Sequence, residues 1–338
     1  MSYHMEFGVF DHLDLRHGVP LETIYQERLK LISRYEFSGV STYHLAEHHA
    51  TPLGLAPSPG IFLATVAQRT KMLRFGPMVY CLPLYEPLRL IEEICMLDQI
   101  SGGRFEFGIG RGISPHEVAY FDINFDNAND IYIEAYKVLM IGLTKSKLEY
   151  KGNYFKYDSV PMILEPKQKP HPPIWCGIGA PSGVKWPAEN GYNIISNASC
   201  EPVRESIKRY KEIWYSNHHT KEILPKMGAA RHIYIDETDE KAINCGRRAY
   251  NAWHKNFMKL WKFFGDDPNV YPEDFEQARK NDLIIAGSPE TVRDEIEEQI
   301  YKTDLNYFVL RFAFGDLILE ESLRSLELFG EEISPNFN

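Results

Sequence analysis

The stretch DQISGGRFEFGIGRGISPHE, residues 98–117, holds the unit from which the rest of the chain is built. A helical pattern ends at Gly102-Gly103, a glycine pair of the kind that closes helices. A short strand-like run, Arg104–Gly108, follows and opens at once into Gly108-Ile109-Gly110-Arg111-Gly112. Helix, strand and glycine-rich strand end, in that order, are part of a βαβ unit, and the alternation continues along the chain. Strands are predicted at Glu6–Phe10, Val40–Leu45, Leu73–Cys81, Arg104–Gly108, Ile174–Ile178, Asn193–Ser196, Ala229–Ile235 and Asn306–Phe312. Helices are predicted near 21–37, 59–70, 86–101, 128–144, 181–190, 201–217, 239–264, 288–302 and 316–330. Ser288-Pro289-Glu290 gives one of them a cap, a first-turn proline and an early acid. Eight strands alternating with helices predict an α/β fold, a (β/α)8 TIM barrel, with a doubly wound open sheet as its rival.

Two intervals are too long for plain units. Residues 145–172 carry Lys151-Gly152-Asn153-Tyr154-Phe155 and then prolines, the pattern of a hairpin excursion. Residues 263–287 read as an inserted loop near the barrel mouth. The expectation is therefore a single barrel domain over residues 1–338, with insertions near 145–172 and 263–287.

Composition narrows the function. A formal net charge of −10 argues against a nucleic-acid surface, which needs concentrated Lys and Arg. It gives no reason to expect an anionic membrane as partner either. Five scattered cysteines, with no CxxC pair, fit free thiols in a reducing compartment better than a disulfide framework. No signal-peptide core or apolar membrane span is visible, so a cytoplasmic location is expected. Met5 is an alternative start, which would leave residues 1–4 outside the native chain.

The run HLAEHHATPLG, residues 44–54, crowds Glu47, His48 and His49 just past the second strand. Barrel active groups sit at that end of the strands. The run reads as a metal site, as an acid–base pair beside a cofactor, or as a solvated loop. Metal binding is the weakest reading, because adjacent histidines on extended chain point opposite ways. Asp11-His12-Leu13-Asp14 also lacks the second histidine of a His-x-His pair, and no metal is expected.

Two strand ends are rich in glycine. Gly108–Gly112 is not GxGxxG, since Ile113 stands at the last position. Glycines there let a flat or phosphorylated ligand approach the backbone, and Arg111 offers a charged planar fork for phosphate. A tight turn with a surface arginine explains the same residues. Gly177-Ile178-Gly179-Ala180-Pro181-Ser182-Gly183 precedes a helix, and backbone N–H groups with Ser182 make an anion cradle. Together the two ends suggest a grip on one phosphorylated cofactor. Gly76-Pro77 interrupts an apolar strand, which places Met78 and Val79 at a bulge where they either press on a flat ring or pack as core. Tyr80, Tyr85, Phe121 and Trp253 are pocket wall or core.

Taken in order, Ala46–His49, Leu97–Phe105 and Gly108–Gly112 resemble the bacterial luciferase family of flavin monooxygenases. The resemblance runs from Phe7 to about residue 200, and more loosely to Gly287–Glu290 and the last helix. It implies a (β/α)8 barrel with an insertion. It implies that His48 works in proton transfer beside the flavin, with Glu47 and His49 in support. Arg111, flanked by Gly110 and Gly112, falls at the flavin phosphate, and Gly179, Ala180, Ser182 and Gly183 fall at the backbone cradle for it. Met78 and Val79 fall at a non-prolyl cis peptide under the ring. Two departures stand out: Gly110 replaces a reactive cysteine of the light-emitting enzyme, which is expected to enlarge the pocket, and Gly179-Ala180 replaces a polar pair. Glu117 keeps an acid after the fourth strand.

The activity so implied is a monooxygenase using reduced FMN from a separate flavin reductase, and O2, through a flavin hydroperoxide. A small aldehyde-like or other carbonyl substrate would be oxygenated, and a homodimer is expected. A deazaflavin-dependent oxidoreductase of the same fold, a non-catalytic flavin-binding protein and a metal-dependent barrel hydrolase are the alternatives.

Overall fold

The computed structural model describes residues 5–217, 223–268 and 270–337. Twelve strands run in chain order: β1 (Glu6–Asp11), β2 (Val40–Leu45), β3 (Arg74–Pro77), β4 (Tyr80–Cys81), β5 (Phe107–Gly110), β6 (Lys147–Lys151), β7 (Lys156–Pro161), β8 (Ile174–Ile178), β9 (Asn193–Ser196), β10 (Met227–Ile235), β11 (Ile284–Gly287) and β12 (Tyr307–Arg311). The helices are α1 (Leu21–Tyr35), α2 (Pro59–Arg69), α3 (Pro87–Ile100), α4 (Pro115–Ala119), α5 (Ala128–Thr144), α6 (Lys185–Asn190), α7 (Cys200–Asn217), α8 (Asp239–Phe264), α9 (Phe275–Lys280), α10 (Pro289–Thr303) and α11 (Leu319–Leu328).

The parallel strands follow the order β3-β2-β1-β12-β10-β9-β8-β5-β4. The ring closes because β3 and β4 are one interrupted strand. Phe75 of β3 takes a bond from Glu106 N at 2.9 Å and gives one to Arg104 O at 3.2 Å, while Tyr80 of β4 pairs with Ile109 of β5. Gly76 is needed at this seam, because a Cβ there would stand 1.8 Å from the Glu106 carbonyl oxygen. The result is a (β/α)8 barrel, as the alternation predicts.

Alternate residues sort to two layers. Val9, Tyr43, Leu45, Phe107 and Leu310 join the shell between sheet and helices. Phe10, Ala46, Met78, Trp175, Ile195, Ala230, Tyr307 and Val309 fill the barrel interior. The lower interior is also polar. His44 Nε2 meets the Tyr307 hydroxyl at 2.8 Å, and the Glu106 carboxylate accepts from Trp175 Nε1 and Arg74 Nε. Burial pushes the His44 imidazole down to about 3, so it is neutral. This plug closes one end and leaves the carboxyl ends of the strands as the open mouth.

Four details differ from the sequence reading. The strand expected at Arg104–Gly108 is β5 at Phe107–Gly110, so Gly108 and Gly110 lie within the strand and not beyond its end. The long strand at Leu73–Cys81 is broken at Met78–Val79, whose peptide bond is cis, as the resemblance implied. The interval 263–287 is not all loop: it contains α9 and β11, and β11 pairs with the upper half of β10. The helix expected at 181–190 is a 3-10 turn, Pro181–Val184, followed by α6. The hairpin β6–β7 stands off the barrel, its turn held by Glu134 of α5, which accepts from the N–H groups of Asn153, Tyr154 and Phe155.

Candidate active site

Strand β2 delivers Glu47, His48 and His49 to the mouth, and the extended backbone sends neighbouring side chains to opposite sides. His48 Nδ1 lies 3.1 Å and 3.3 Å from the two carboxylate oxygens of Glu117. Glu117 sits in α4, which Ser114 caps by accepting the Glu117 N–H at 3.3 Å. The same carboxylate accepts the His49 N–H at 3.2 Å, so one acid clamps both the ring and the backbone of this segment. Helix α4 is tied in turn to the end of α8: His116 stacks on Phe264 at 3.9 Å and meets Asp266 at 2.7 Å.

A carboxylate at Nδ1 fixes the proton there and leaves Nε2 as the free, basic nitrogen of His48. Burial pushes the imidazole pKa down, but Glu117 outweighs it by charge and hydrogen bond, aided by Glu47, and the net shift is upward. His12, at the end of β1, stacks on His48 with ring centres 5.6 Å apart. Burial, then the charge of Arg311, hold His12 well below the usual imidazole range, so it is an uncharged neighbour.

Glu47 is placed differently from His48. Its side chain is fully buried, and both oxygens are taken. Oε1 meets His49 Nε2 at 3.0 Å, while Oε2 accepts from Tyr85 OH at 2.7 Å and from Cys81 N at 3.3 Å. It laces the end of β2 to β4. His49 is thereby held by Glu47, with Phe121 edge-on at 4.8 Å.

The residues suited to a phosphate lie at the ends of β5 and β8, which neighbour each other in the ring. Arg111 is exposed, and its guanidinium covers the Phe125 ring at 4.6 Å with no carboxylate partner among the described residues. Gly112 has φ +91, a conformation that favours glycine. On β8, Gly177 pairs with the interior residue Ile195, and a Cβ at Gly177 or Gly179 would meet nothing within 4 Å. These two glycines border open space. Ala180 and Ser182 are exposed beside them. The Gly183 N–H, expected in the cradle, is instead spent on the Ala180 carbonyl at 2.9 Å, closing the 3-10 turn.

Gly110 also corrects an expectation. A Cβ there would lie 2.4 Å from Val79 Cγ2, so the space a cysteine would use is filled by Val79 rather than left open. Of the candidate pocket aromatics, Tyr80 and Trp253 are wholly buried, and Phe121 faces solvent. The residue whose place the sequence left open is Glu117, the partner of His48. Its signal was only an acid after a glycine-rich strand end. Among the described residues, no group of three or more His, Cys, Asp or Glu side chains is arranged to hold a metal ion.

A closed parallel barrel with an acid–base couple and a glycine-lined opening at its strand ends is the architecture of a barrel enzyme. The model of the luciferase-like monooxygenase family matches residues 5–305, and the chain belongs to that family. Members are flavin-dependent monooxygenases and oxidoreductases, and the protein is an enzyme of that class. It is 38% identical to the uncharacterized protein y4wF of Sinorhizobium fredii, over 94% of this chain and 93% of that protein. It is 24% identical to the oxygenase component of the flavin-dependent trigonelline monooxygenase of Acinetobacter baylyi, over 99% of this chain and 96% of the other. The solved oxygenating constituent of 3,6-diketocamphane monooxygenase from Pseudomonas putida, in complex with FMN, superimposes with a TM-score of 0.80. That likeness has 21% identity and covers 98% of each chain.

Proposed function

We propose that the protein is the oxygenase component of a two-component system, taking reduced FMN from a separate reductase and inserting one oxygen atom of O2 into a small carbonyl substrate. The whole chain is read as one barrel domain, with insertions near 145–172 and 263–287, and two copies are read as pairing in a homodimer. The observation that carries the reading is the His48–Glu117 couple at the mouth, with its free Nε2. The residues around it fit a flavin mononucleotide. Among the described residues Arg111 has no carboxylate of its own, and Gly177 and Gly179 border space that any side chain would fill.

In this reading Arg111 and the backbone of Gly179–Ser182 hold the phosphate, while Met78 and Val79 form the bed of the ring. Bound reduced flavin supplies the two electrons that activate O2, and the protein supplies position and protons. His48 exchanges a proton at Nε2, and although burial pulls its pKa down, Glu117 and Glu47 hold it above the ordinary imidazole value. Glu117 fixes the tautomer. Glu47 and His49 hold the segment that carries His48. The aromatic shell around His12 and Trp253 keeps bulk water from the reacting atoms.

The test supplies photoreduced FMN without a reductase, isotopically labelled O2, and a panel of aldehydes and cyclic ketones. Native protein is expected to yield one product heavier by a single labelled oxygen atom, and His48→Asn to yield little. If all O2 consumed returns as hydrogen peroxide with every compound, and a reduced deazaflavin is oxidised productively instead, the monooxygenase reading fails.

A further inference from the structure

Among the described residues, six of the buried polar atoms that lack a hydrogen-bond partner belong to four residues near one rim of the barrel mouth: Asp14 Oδ1, both ring nitrogens of His232, Trp253 Nε1, and Nε and Nη1 of Arg311. They lie after β1, on β10, on α8 and on β12. His232 and Arg311 are register partners on adjacent strands, so they face the same way. Arg311 is 1% exposed and covers the Phe10 ring at 4.8 Å. Its hydrogen bond is from Nη2 to Asn197 Oδ1 at 2.7 Å, a neutral acceptor. The His232 ring lies 4.2 Å from Trp253, and the Trp253 ring 6.2 Å from His12, which stacks on His48.

Apart from Asp14 Oδ1 and one imidazole nitrogen, which accept, these atoms are donors. An arginine and an indole nitrogen only donate, and a neutral imidazole donates once. Burial, followed by the charge of Arg311, keeps His232 well below the usual imidazole range, so it is neutral. Asp14 is a nearby acid, but burial pushes its carboxyl up to about 7 against the weaker pulls of Arg28 and Arg311; it forms no ion pair with Arg311, and its Oδ2 accepts the Gly315 N–H at 2.7 Å. A buried cation with idle donors and no carboxylate in ion-pair contact is costly to fold around, and a ligand anion would relieve it. The rings beside it, Phe10, Trp253 and Phe314, favour a flat apolar body next to that anion.

We propose that Arg311, with Trp253 and His232, forms a carboxylate-anchoring subsite, so that the substrate is a small cyclic or aromatic compound bearing a carboxylate. This rests on the reading of the mouth as the place of oxygenation, and it places the anchor on the rim next to His12, away from Arg111 and the glycine-rich strand ends.

The probe pair is benzoate and benzamide, alike in shape and different in charge, titrated calorimetrically into the full chain with and without FMN. Benzoate is expected to bind at least about tenfold more tightly, since a charge-assisted bond replaces a neutral one. Asn197→Asp places an anion against the guanidinium from within and is expected to abolish the preference without emptying the barrel. Arg311→Gln is expected to do the same. FMN binding, read separately by flavin fluorescence, is expected to persist in Asn197→Asp. Equal binding of the two probes to native protein would overturn the subsite, as would a benzoate preference that survives both variants. Loss of FMN affinity in step with the preference would assign the guanidinium to the flavin and overturn it too. A benzoate preference in a native protein that binds no FMN would leave the subsite standing and sink the flavin reading alone.

Discussion

Replacing Glu47 separates two meanings of an acid in an active-site motif. The carboxylate is fully buried and accepts from Tyr85 OH, Cys81 N and His49 Nε2 at 2.7, 3.3 and 3.0 Å. Alanine would strand the tyrosine hydroxyl and the backbone N–H, and each buried donor left alone costs about 1–3 kcal/mol, so about 2–6 kcal/mol in all. Glutamine keeps more. Its amide oxygen takes the place of Oε2 and serves both donors, while its NH2 faces His49 Nε2, which accepts when the ring carries its proton on Nδ1. The expected cost of Glu47→Gln is about 1 kcal/mol. Urea unfolding of both variants gives the stabilities, and single-turnover oxygenation with photoreduced FMN gives the rates. If Glu47 only positions the loop, Glu47→Gln keeps the rate within roughly threefold, whereas loss of a general acid–base group costs about 10²- to 10⁴-fold. A rate as low as that of His48→Asn would refute the positioning role. A Glu47→Ala protein within 1 kcal/mol of native would refute the bonding argument itself.

Two further outcomes follow from the same site. The His48 pKa is raised in the folded state, so the coupling to Glu117 adds stability below the ordinary imidazole value near 6.5 and loses it as pH rises through the folded value. Glu117→Gln removes the larger raising cause and leaves burial opposed only by the weaker pull of Glu47, so the acid limb of the rate profile should move to lower pH; the stability loss should be largest in acid. A limb that stays in place, followed by stopped-flow across pH 5–9, would remove His48 from that limb. Gly110→Cys drives a side chain into Val79, whose Cγ2 would be 2.4 Å from the new Cβ. Overpacking of this kind costs about 1–3 kcal/mol, and Val79→Ala in the same chain should recover most of it. Additive thermal shifts in the double variant would show that the two residues do not compete for one space.

Some of this was legible locally and some was not. The barrel strands are short runs such as Val40–Leu45 and Ile174–Ile178, rich in β-branched and aromatic residues and bounded by turns, and each was visible in isolation. Strand β11 was not, because four residues, Ile284–Gly287, carry too little period to stand out between a loop and a capped helix. The break in the third strand was visible as Gly76-Pro77 but lies two residues later, where the cis bond falls. At the site, the histidines, Arg111 and the glycines of β8 were visible as types at strand ends. Their partners were not.

What the sequence by itself determined is the order of elements and the residue types carried to each strand end, because backbone period and glycine freedom are properties of neighbouring residues. What only the tertiary structure decided is who meets whom. Glu117 comes to His48 across 69 positions, Arg311 meets Asn197 across 114, and Val79 rather than an open pocket fills the space at Gly110. Those outcomes depend on closing the ring at Phe75 and Glu106, which brings side chains far apart in the chain within bonding distance and removes the water that would otherwise have satisfied them.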